Sequence, residues 1–245
     1  MKITFLGTAD GIPRPGHACT ATAVEVGERV YLIDAGAPVV DTLLSAGIDP
    51  NRIKAIFNTH PHADHVDGIT SLLTLSTWWY KEMSFDIYWA MKKTGEVLAD
   101  YVSAFVDFPH DRIGMKEIPG AGTFYDDGVL KVTAFPTLHC EPKPSYAFLL
   151  EAEGKRVFFS GDVSYALYRG DFPTYVCEEE TDLFICEMAH IGEDEVAPHL
   201  EKCKAKCVYF NHYQQKKEEH IDRLRAKGRF AFPVFMAHDG ESVTV

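Results

Sequence analysis

Positive charge is scarce in this chain, which has 24 lysines and arginines against 36 aspartates and glutamates, a formal net charge of −12 over 245 residues. That balance disfavours a long polyanion such as nucleic acid as a partner, because the overall field repels it. The one stretch that leans basic covers residues 202–229. Acidic residues are interspersed there, so it is interpreted as a solvated helix face and not as a binding stripe.

The sequence also shows neither the cysteine spacing of a disulfide scaffold nor the long apolar run of a membrane span. The six cysteines form no dense framework, and Cys203 and Cys207, four apart on a predicted helix face, have no second pair to complete a zinc-finger spacing. No stretch approaches the ~18 apolar residues of a membrane span, and the apolar run at the start is too short for a signal peptide. These absences predict a reduced, cytoplasmic protein with no membrane contact.

Alternating strands and helices are predicted instead, without internal repeats or low-complexity segments. A chain of 245 residues can bury one sizeable core, so a single domain over 1–245 is expected. Two halves that each end in strand–helix units favour an α/β sandwich with sheets inside and helices outside. Strands are predicted at 2–6, 22–25, 30–34, 53–58, 85–89, 130–135, 146–151, 156–160, 183–186 and 207–211 and near Val234 and Val243, and helices at 39–46, 69–79, 95–105, 193–204 and 215–227.

The segment THPHADH, residues 59–65, packs three histidines and an aspartate directly behind an apolar strand. In an extended loop, residues two apart point the same way, so His60 and His62 can converge on one point. The turn into the next helix sends Asp64 and His65 in another direction. Two divergent ligand pairs suit two metal ions, and imidazole with carboxylate is the ligand chemistry of Zn²⁺ and related first-row metals.

At this segment the sequence resembles the metallo-β-lactamase superfamily, whose signature is His-x-His-x-Asp-His after a strand. Its later motifs match in order at strand ends, as IDAG at 33–36, FPTLH at 135–139, SGD at 160–162 and FNH at 210–212. The resemblance implies an αββα sandwich of the metallo-β-lactamase type, in which Asp34 braces the ligand loop. It also implies seven metal ligands: His60, His62 and His139 for the first metal, Asp64, His65 and His212 for the second, and Asp162 between them.

Within that superfamily, GTADGIP at 7–13, PSY at 144–146 and AHDG at 237–240 resemble the ribonuclease Z and phosphodiesterase branch. Two features depart from ribonuclease Z. Cys186 stands where that enzyme's His-Glu-Ala-Thr motif has its histidine, and the long Gly/Pro-rich arm that grips tRNA is missing. A small or cyclic phosphodiester therefore fits better than tRNA. The di-iron electron-transfer members carry Glu where this chain has His62, so a redox role is disfavoured.

The resemblance implies a binuclear hydrolase with two divalent ions, Zn²⁺ before Mn²⁺, in which a metal-bridging hydroxide attacks phosphorus. Asp64 would orient that hydroxide or take its proton. His190 is the candidate proton donor to the leaving group, and the alternative is a loop histidine hydrogen-bonded to Glu187. Hydrolysis of a thioester, lactone or other carboxylic ester by the same dimetal site is the second hypothesis, and a non-catalytic metal-binding module is the third.

Three further features stay open at this point. His17 in the N-terminal loop is either a substrate contact or a structural histidine, and His238 is either a group behind the metal ligands or a turn residue. The tryptophans all fall within 78–89, beside Tyr80 and Tyr88. That cluster predicts a platform for a substrate base, a homodimer surface, or ordinary packing of a helix on a strand.

Overall fold

The computed structural model describes residues 1–214, 218–227 and 230–245. Its contacts divide the chain into two compact units, Met1–Ile118 with His238–Thr244, and Pro119–Ala237 with the terminal Val245. Each unit is built on one seven-stranded mixed sheet. Within the described ranges, no helix combines the length and the apolar character that crossing a bilayer requires.

The sheet of the first unit contains β1 Lys2–Gly7, β2 Ala21–Val26, β3 Arg29–Ala35, β4 Ile53–Phe57, β5 Phe85–Trp89, β6 Ile113–Glu117 and β14 Ser242–Thr244. Its strand order is β14-β1-β2-β3-β4-β5-β6. The pairings from β14 to β3 are antiparallel, and those from β3 to β6 are parallel. The parallel strands therefore all end at the same edge of the sheet.

The sheet of the second unit contains β7 Gly122–Asp126, β8 Lys131–Pro136, β9 Tyr146–Ala152, β10 Lys155–Phe159, β11 Leu183–Glu187, β12 Val208–Asn211 and β13 Val234–Met236. Its order is β13-β12-β11-β10-β9-β8-β7, with antiparallel pairings from β7 to β10 and parallel pairings beyond. Because β8 and β10 both pair antiparallel with β9, β8 ends at the same edge as β10, β11 and β12.

The helices are α1 Val39–Ser45, α2 Ala63–Val66, α3 Ile69–Trp78, α4 Lys92–Ser103, α5 Tyr175–Glu178, α6 Glu193–Leu200 and α7 Glu218–Lys227, with 3-10 turns at Pro50–Arg52 and Tyr165–Gly170. In the first unit, Leu72 of α3 and Val102 of α4 share one buried cluster with Leu32, Ile56 and Ile87 of the sheet. Nearly every residue of β4 is buried, which is typical of a strand covered on both faces.

The second unit repeats this construction with aromatic residues. Phe158, Phe184 and Phe210 lie on three neighbouring strands and are fully buried. They share a cluster with Val196 of α6 and Leu224 of α7. Two mixed seven-stranded sheets flanked by helices confirm the predicted αββα sandwich of the metallo-β-lactamase type.

Several boundaries differ from the sequence prediction. The predicted helix at 193–204 ends at Leu200, because the backbone amide of Lys204 donates to the carbonyl of Val176 and leaves the helical ladder. The prediction that Cys203 and Cys207 share a helix face is therefore wrong. Cys203 Sγ instead lies 3.8 Å from Cys177 Sγ. Residues 215–217, the start of another predicted helix, lie outside the described residues.

The aromatic cluster predicted at 78–89 is split by the structure. Trp89 is fully buried in the core of the first unit, whereas Trp78 and Trp79 are 51% and 69% exposed at the end of α3. Because α3 has ten residues, it is about 15 Å long. The exposed pair thus lies at the end of α3 remote from His65, which precedes that helix. This position disfavours a substrate platform there, and a homodimer surface stays a prediction.

Gly95 offers a test of packing in the first unit, because a Cβ at this position would lie 2.3 Å from Nε1 of the buried Trp89. We expect Gly95→Ala to lower the free energy of unfolding by about 1–3 kcal/mol through overpacking. Alanine's better helix propensity, about 1 kcal/mol, offsets part of that loss. The midpoint of urea denaturation measures the change, with Ser103→Ala at the exposed end of α4 as the control. A higher midpoint for Gly95→Ala contradicts the packing argument.

Candidate metal centre

The ligand loop of the first unit follows β4 and turns into α2. His60 Nε2 lies 3.0 Å from His62 Nδ1, and the ring centroids of His60 and His65 are 4.0 Å apart. His65 Nε2 lies 3.4 Å from Asp64 Oδ2. Two ligand atoms on a tetrahedral Zn²⁺ are about 3.3 Å apart when each bond is ~2.0–2.1 Å. The structure therefore brings together the four side chains that the sequence predicted for this loop, at separations that suit shared ions.

Asp34, at the end of β3, holds this loop from behind. Its Oδ1 accepts hydrogen bonds from the Thr59 amide (2.8 Å) and the Asn58 side chain (3.2 Å). Its Oδ2 accepts from the Thr59 hydroxyl (2.7 Å) and from His65 Nδ1 (2.8 Å). Because a carboxylate can only accept, His65 Nδ1 carries the proton and Nε2 carries the lone pair. A carboxylate behind a histidine is the arrangement typical of metal-binding imidazoles.

The ligand loop passes so close to residue 36, two residues after Asp34, that only glycine fits there. A Cβ at Gly36 would lie 2.0 Å from the backbone oxygen of Asp64 and 2.8 Å from that of Thr20. Any side chain at this position would push the ligand loop outward. The glycine therefore allows the end of β3 and the Asp64 segment to lie in direct backbone contact.

The surroundings of Asp64 carry negative potential. Burial is the main cause that raises the pKa of the Asp67 carboxyl, and the charge of Asp64 raises it further. The pKa of the Cys19 thiol is raised in the same way, first by burial and then by Asp64 and Asp67. These two groups thus resist acquiring a negative charge, mainly through burial and in part through the charge of Asp64, which a divalent cation would offset.

The second unit has its own cluster around Asp162, which is 4% exposed just after β10. Asp162 Oδ2 lies 3.1 Å from His212 Nε2, 3.6 Å from His139 Nε2 and 3.8 Å from His190 Nδ1. His139 Nδ1 donates to the carbonyl of Val163 at 3.2 Å, which leaves Nε2 as the ligand nitrogen. The edge shared by β8, β10 and β12 therefore collects the predicted ligands of this unit, together with the candidate proton donor.

Glu187, the last residue of β11, organises this second cluster and is 3% exposed. Its Oε1 accepts from the Val163 amide (3.1 Å) and from His190 Nδ1 (2.9 Å). Its Oε2 accepts from the amides of Ala189 (2.6 Å) and His190 (2.9 Å). The hydrogen bond from His190 to Glu187 that the sequence offered as an alternative is thus present. It does not exclude the catalytic role, because it orients the ring and leaves Nε2 for proton transfer.

Asp171 is a supporting residue that sequence reasoning missed. Its Oδ2 accepts from the amides of Leu138 (2.9 Å) and Ser164 (2.7 Å), so one carboxylate joins the loops that carry His139 and Asp162. Burial raises the pKa of Asp171, and the two amide hydrogen bonds oppose that rise. No local pattern marks this residue, because its partners lie 33 and 7 positions away.

Two of the site residues have left-handed backbone conformations. Asp34 has φ of +56° and His212 has φ of +48°. Non-glycine residues pay about 1–3 kcal/mol for such conformations, which persist where the surroundings over-determine them. Both residues lie where a strand meets its loop, so the left-handed turn aims a side chain that an extended backbone would direct elsewhere.

The donor chemistry of both clusters fits divalent metal ions. Each cluster combines imidazole nitrogens with carboxylate oxygens, and His65 and His139 are each oriented by a hydrogen bond from Nδ1. Neutral imidazole and carboxylate suit Zn²⁺ and Mn²⁺, and the oriented Nδ1–H groups are the usual support of such ligands. Among the residues within the second unit, His139, Asp162 and His190 have ligand atoms close enough to bind one ion.

The structure locates the residues whose roles the sequence left open. His17 lines a cavity of about 370 Å³ in the first unit with Arg14, Asp41 and Asp239. His238 is exposed in the turn before β14, and its neighbour Asp239 accepts hydrogen bonds from the N-terminal loop. Cys186 is fully buried, and burial raises its thiol pKa well above the usual value, so it is no substitute for a proton-donating histidine.

Two mixed sheets with histidine and aspartate clusters at strand ends define the class of a metallo-β-lactamase-fold protein. A family model described as the Beta-lactamase superfamily domain matches residues 29–213. The chain belongs to this superfamily. The fold of the superfamily implies binding of divalent metal ions.

Curated proteins and solved structures similar to this chain can be named. Ribonuclease Z of Methanothermobacter thermautotrophicus is 29% identical over 169 residues, which cover 68% of this chain and 53% of that protein. The chain thus spans about half the length of such relatives. The structure of the short form of human tRNase Z has a TM-score of 0.78 at 19% identity, covering 100% of this chain and 99% of that one. A diphosphatase of the PhnP family has a TM-score of 0.74 at 20% identity, covering 100% and 97%. These structures share the fold.

Removal of the carboxylate behind His65 tests the support of the first cluster. We expect Asp34→Asn to weaken Zn²⁺ binding about 10- to 100-fold, because the ring loses its charged partner and its fixed orientation. Competition against a chromogenic chelator measures the affinity, with circular dichroism as the check on folding. Asp100→Asn, an exposed position on α4, is the matched control. A folded Asp34→Asn variant with unchanged Zn²⁺ affinity contradicts the assignment.

Proposed function

We propose that this chain is a binuclear metal-dependent hydrolase that cleaves phosphodiesters, with a small or cyclic phosphodiester as its substrate. The observation that carries the proposal is the pair of clusters at strand ends, each built from imidazole and carboxylate groups and each held by a buried carboxylate. The family pattern supports the assignment of His60, His62, Asp64, His65, His139, Asp162 and His212 to one dimetal centre. The family model runs through both units, which supports one domain over 1–245.

Two bound divalent metals would supply Lewis acidity for a phosphoryl oxygen and a nucleophilic water at neutral pH. Asp64 is the residue that orients this water or accepts its proton. It is suited to this role because its backbone is fixed against Gly36 and its carboxylate lies beside His65 Nε2. The carboxylate is only part-buried, so it can exchange that proton with solvent.

His190 donates a proton to the leaving oxygen in this proposal. Its Nδ1 is engaged by Glu187, so Nε2 is the atom that delivers the proton. The buried Glu187 carboxylate stabilises the protonated imidazole, and the ring is 28% exposed, which allows contact with substrate and solvent. His190 thereby takes over a task for which Cys186 in the core is unsuited.

A small substrate is preferred over long RNA on charge grounds. The relatives named ribonuclease Z make RNA the competing substrate, whereas the net charge of −12 opposes it. Four cations of the basic stretch are engaged locally: Lys204 with the Glu178 carbonyl, Lys206 with Asp182, Arg223 with Glu193, and Arg225 with Asp222 and the Val234 carbonyl. Three more cations of this stretch, at 216, 217 and 229, lie outside the described residues.

The same centre could hydrolyse a thioester, lactone or other carboxylic ester, which stays the second candidate because a metal-activated water attacks acyl carbon as readily in principle. Zn²⁺ is the proposed ion and Mn²⁺ the alternative, since histidine-rich donor sets suit both. A reduced, cytoplasmic setting is part of the proposal and is supported by six cysteines that are all thiols.

Turnover of bis(4-nitrophenyl) phosphate by protein stripped of metal and reloaded with Zn²⁺ or Mn²⁺ tests the proposed function. We expect metal-dependent cleavage, and a loss of about 10²- to 10⁴-fold in kcat/KM for Asp64→Asn, because the carboxylate no longer handles the proton. Asp100→Asn, at an exposed position on α4, is the matched control. A thioester, a lactone and a tRNA precursor are assayed in parallel. Silence on the phosphodiester with turnover of an acyl ester or RNA would replace the proposed substrate class.

The role of His190 depends on the leaving group. With a 4-nitrophenolate leaving group, which needs no proton, His190→Gln should change kcat by less than about tenfold. With an alkoxide leaving group, the same variant should lose about 10²-fold or more, because general acid catalysis contributes that much. The ratio of the two losses is the measurement. Equal losses on both substrates would assign His190 to metal binding or structure.

A further inference from the structure

The turn that follows Asp162 presents two aromatic side chains to solvent. Tyr165 is 79% exposed and Tyr168 is 59% exposed, both within the 3-10 turn Tyr165–Gly170. Tyr165 is three residues after Asp162, so their Cα atoms are at most about 11 Å apart. At least one of the exposed rings, that of Tyr165, is thus carried by a backbone position close to the proposed catalytic cluster.

The backbone of this turn is strained. Ala166, Leu167 and Arg169 have φ of 50°, 51° and 55°, all in the left-handed region and none of them glycine. Each such residue costs about 1–3 kcal/mol and persists only where the rest of the structure imposes it. Three of them within four positions indicate that the surrounding structure imposes this backbone path.

Hydrogen bonds and packing impose this conformation. The Ala166 amide donates to the carbonyl of His190 at 3.0 Å, which ties the turn to the proposed proton donor. The Ser164 hydroxyl donates to the Tyr168 carbonyl at 3.0 Å, and Leu167 is buried in the core of the second unit. The turn is therefore an ordered part of that unit, and the backbone positions that carry its two tyrosines are fixed.

Arg169 fixes the second ring. Its guanidinium carbon lies 5.2 Å from the centroid of the Tyr168 ring, within the range of a cation–π contact. The same guanidinium donates to both oxygens of Glu141 at 3.1 and 3.0 Å, two residues after His139. One face of Tyr168 is thus braced by a cation that is itself anchored beside a predicted ligand.

We infer that Tyr165 and Tyr168 form a stacking platform for the heteroaromatic base of a nucleotide phosphodiester. This inference rests on the proposed function and names its substrate class. Nucleotides are the phosphodiesters that carry a flat aromatic group, and rigid aromatic side chains bind bases of any sequence by stacking.

Two activated diesters with the same 4-nitrophenolate leaving group test the inference: thymidine 5′-(4-nitrophenyl) phosphate and methyl 4-nitrophenyl phosphate. The measured quantity is the ratio of kcat/KM for the thymidine ester to that for the methyl ester, in metal-loaded protein. In Tyr165→Ala and Tyr168→Ala we expect this ratio to fall about 5- to 100-fold, the loss of one stacking contact. Phenylalanine at either position keeps the ring and should keep the ratio. Tyr101→Ala, a tyrosine 61% exposed on α4, is the matched control.

An unchanged ratio in both alanine variants overturns the inference, whether or not overall turnover falls. An unchanged ratio together with a change of oligomeric state, measured by light scattering, assigns the tyrosines to a protein interface instead. If the metal-loaded protein cleaves neither diester, the proposed function fails, and the stacking platform is tested separately by ligand binding. Adenosine 5′-monophosphate and ribose 5-phosphate are then compared by calorimetry. Tighter binding of the base-bearing ligand that is lost in Tyr168→Ala supports the platform, and equal binding of the two ligands overturns it.

Discussion

Two buried carboxylates, Asp34 and Glu187, need hydrogen-bond donors on every side, and the loops around them are folded to supply those donors. A buried charge without partners is among the most costly features a protein can contain. Asp34 is satisfied by the segment that carries His60 and His65, and Glu187 by the segments that carry Asp162 and His190. The requirement to satisfy each carboxylate therefore shapes the loop that carries the chemistry.

Both units meet this requirement with the same construction. Three antiparallel pairings are followed by three parallel ones, and the parallel strands deliver their loops to one edge of the sheet. In each unit, a carboxylate at the end of one strand accepts hydrogen bonds from the loop that follows a neighbouring strand. This carboxylate is Asp34 on β3 in the first unit and Glu187 on β11 in the second. Apolar packing under each sheet holds the strands in place. Because each carboxylate belongs to such a strand, its hydrogen bonds fix the position of the imidazole ring it contacts.

The ligand motifs could be predicted from the sequence because their information is local. Three histidines and an aspartate within 59–65, directly after an apolar strand, indicate metal chemistry without any knowledge of distant residues. The strands β6 and β7 escaped prediction because their residues are half-exposed and include glycine, so they show no clear alternation. Asp171 escaped because its role is defined by amides of Leu138 and Ser164, which only the folded chain brings to it. The conformation of Tyr165–Gly170 escaped for a similar reason, since no composition rule predicts left-handed alanine and leucine.

The left-handed conformation of His212 has a consequence for how this chain can change over evolutionary time. Glycine or asparagine would occupy that backbone position at lower energy than histidine does. Selection for stability alone thus favours another residue at position 212, and the proposed metal-binding role is what would retain a histidine there. A lineage that no longer needed its metals would drift first at this position and keep its sheets intact. Such a descendant would be a more stable protein with the same fold and without the proposed metal centre.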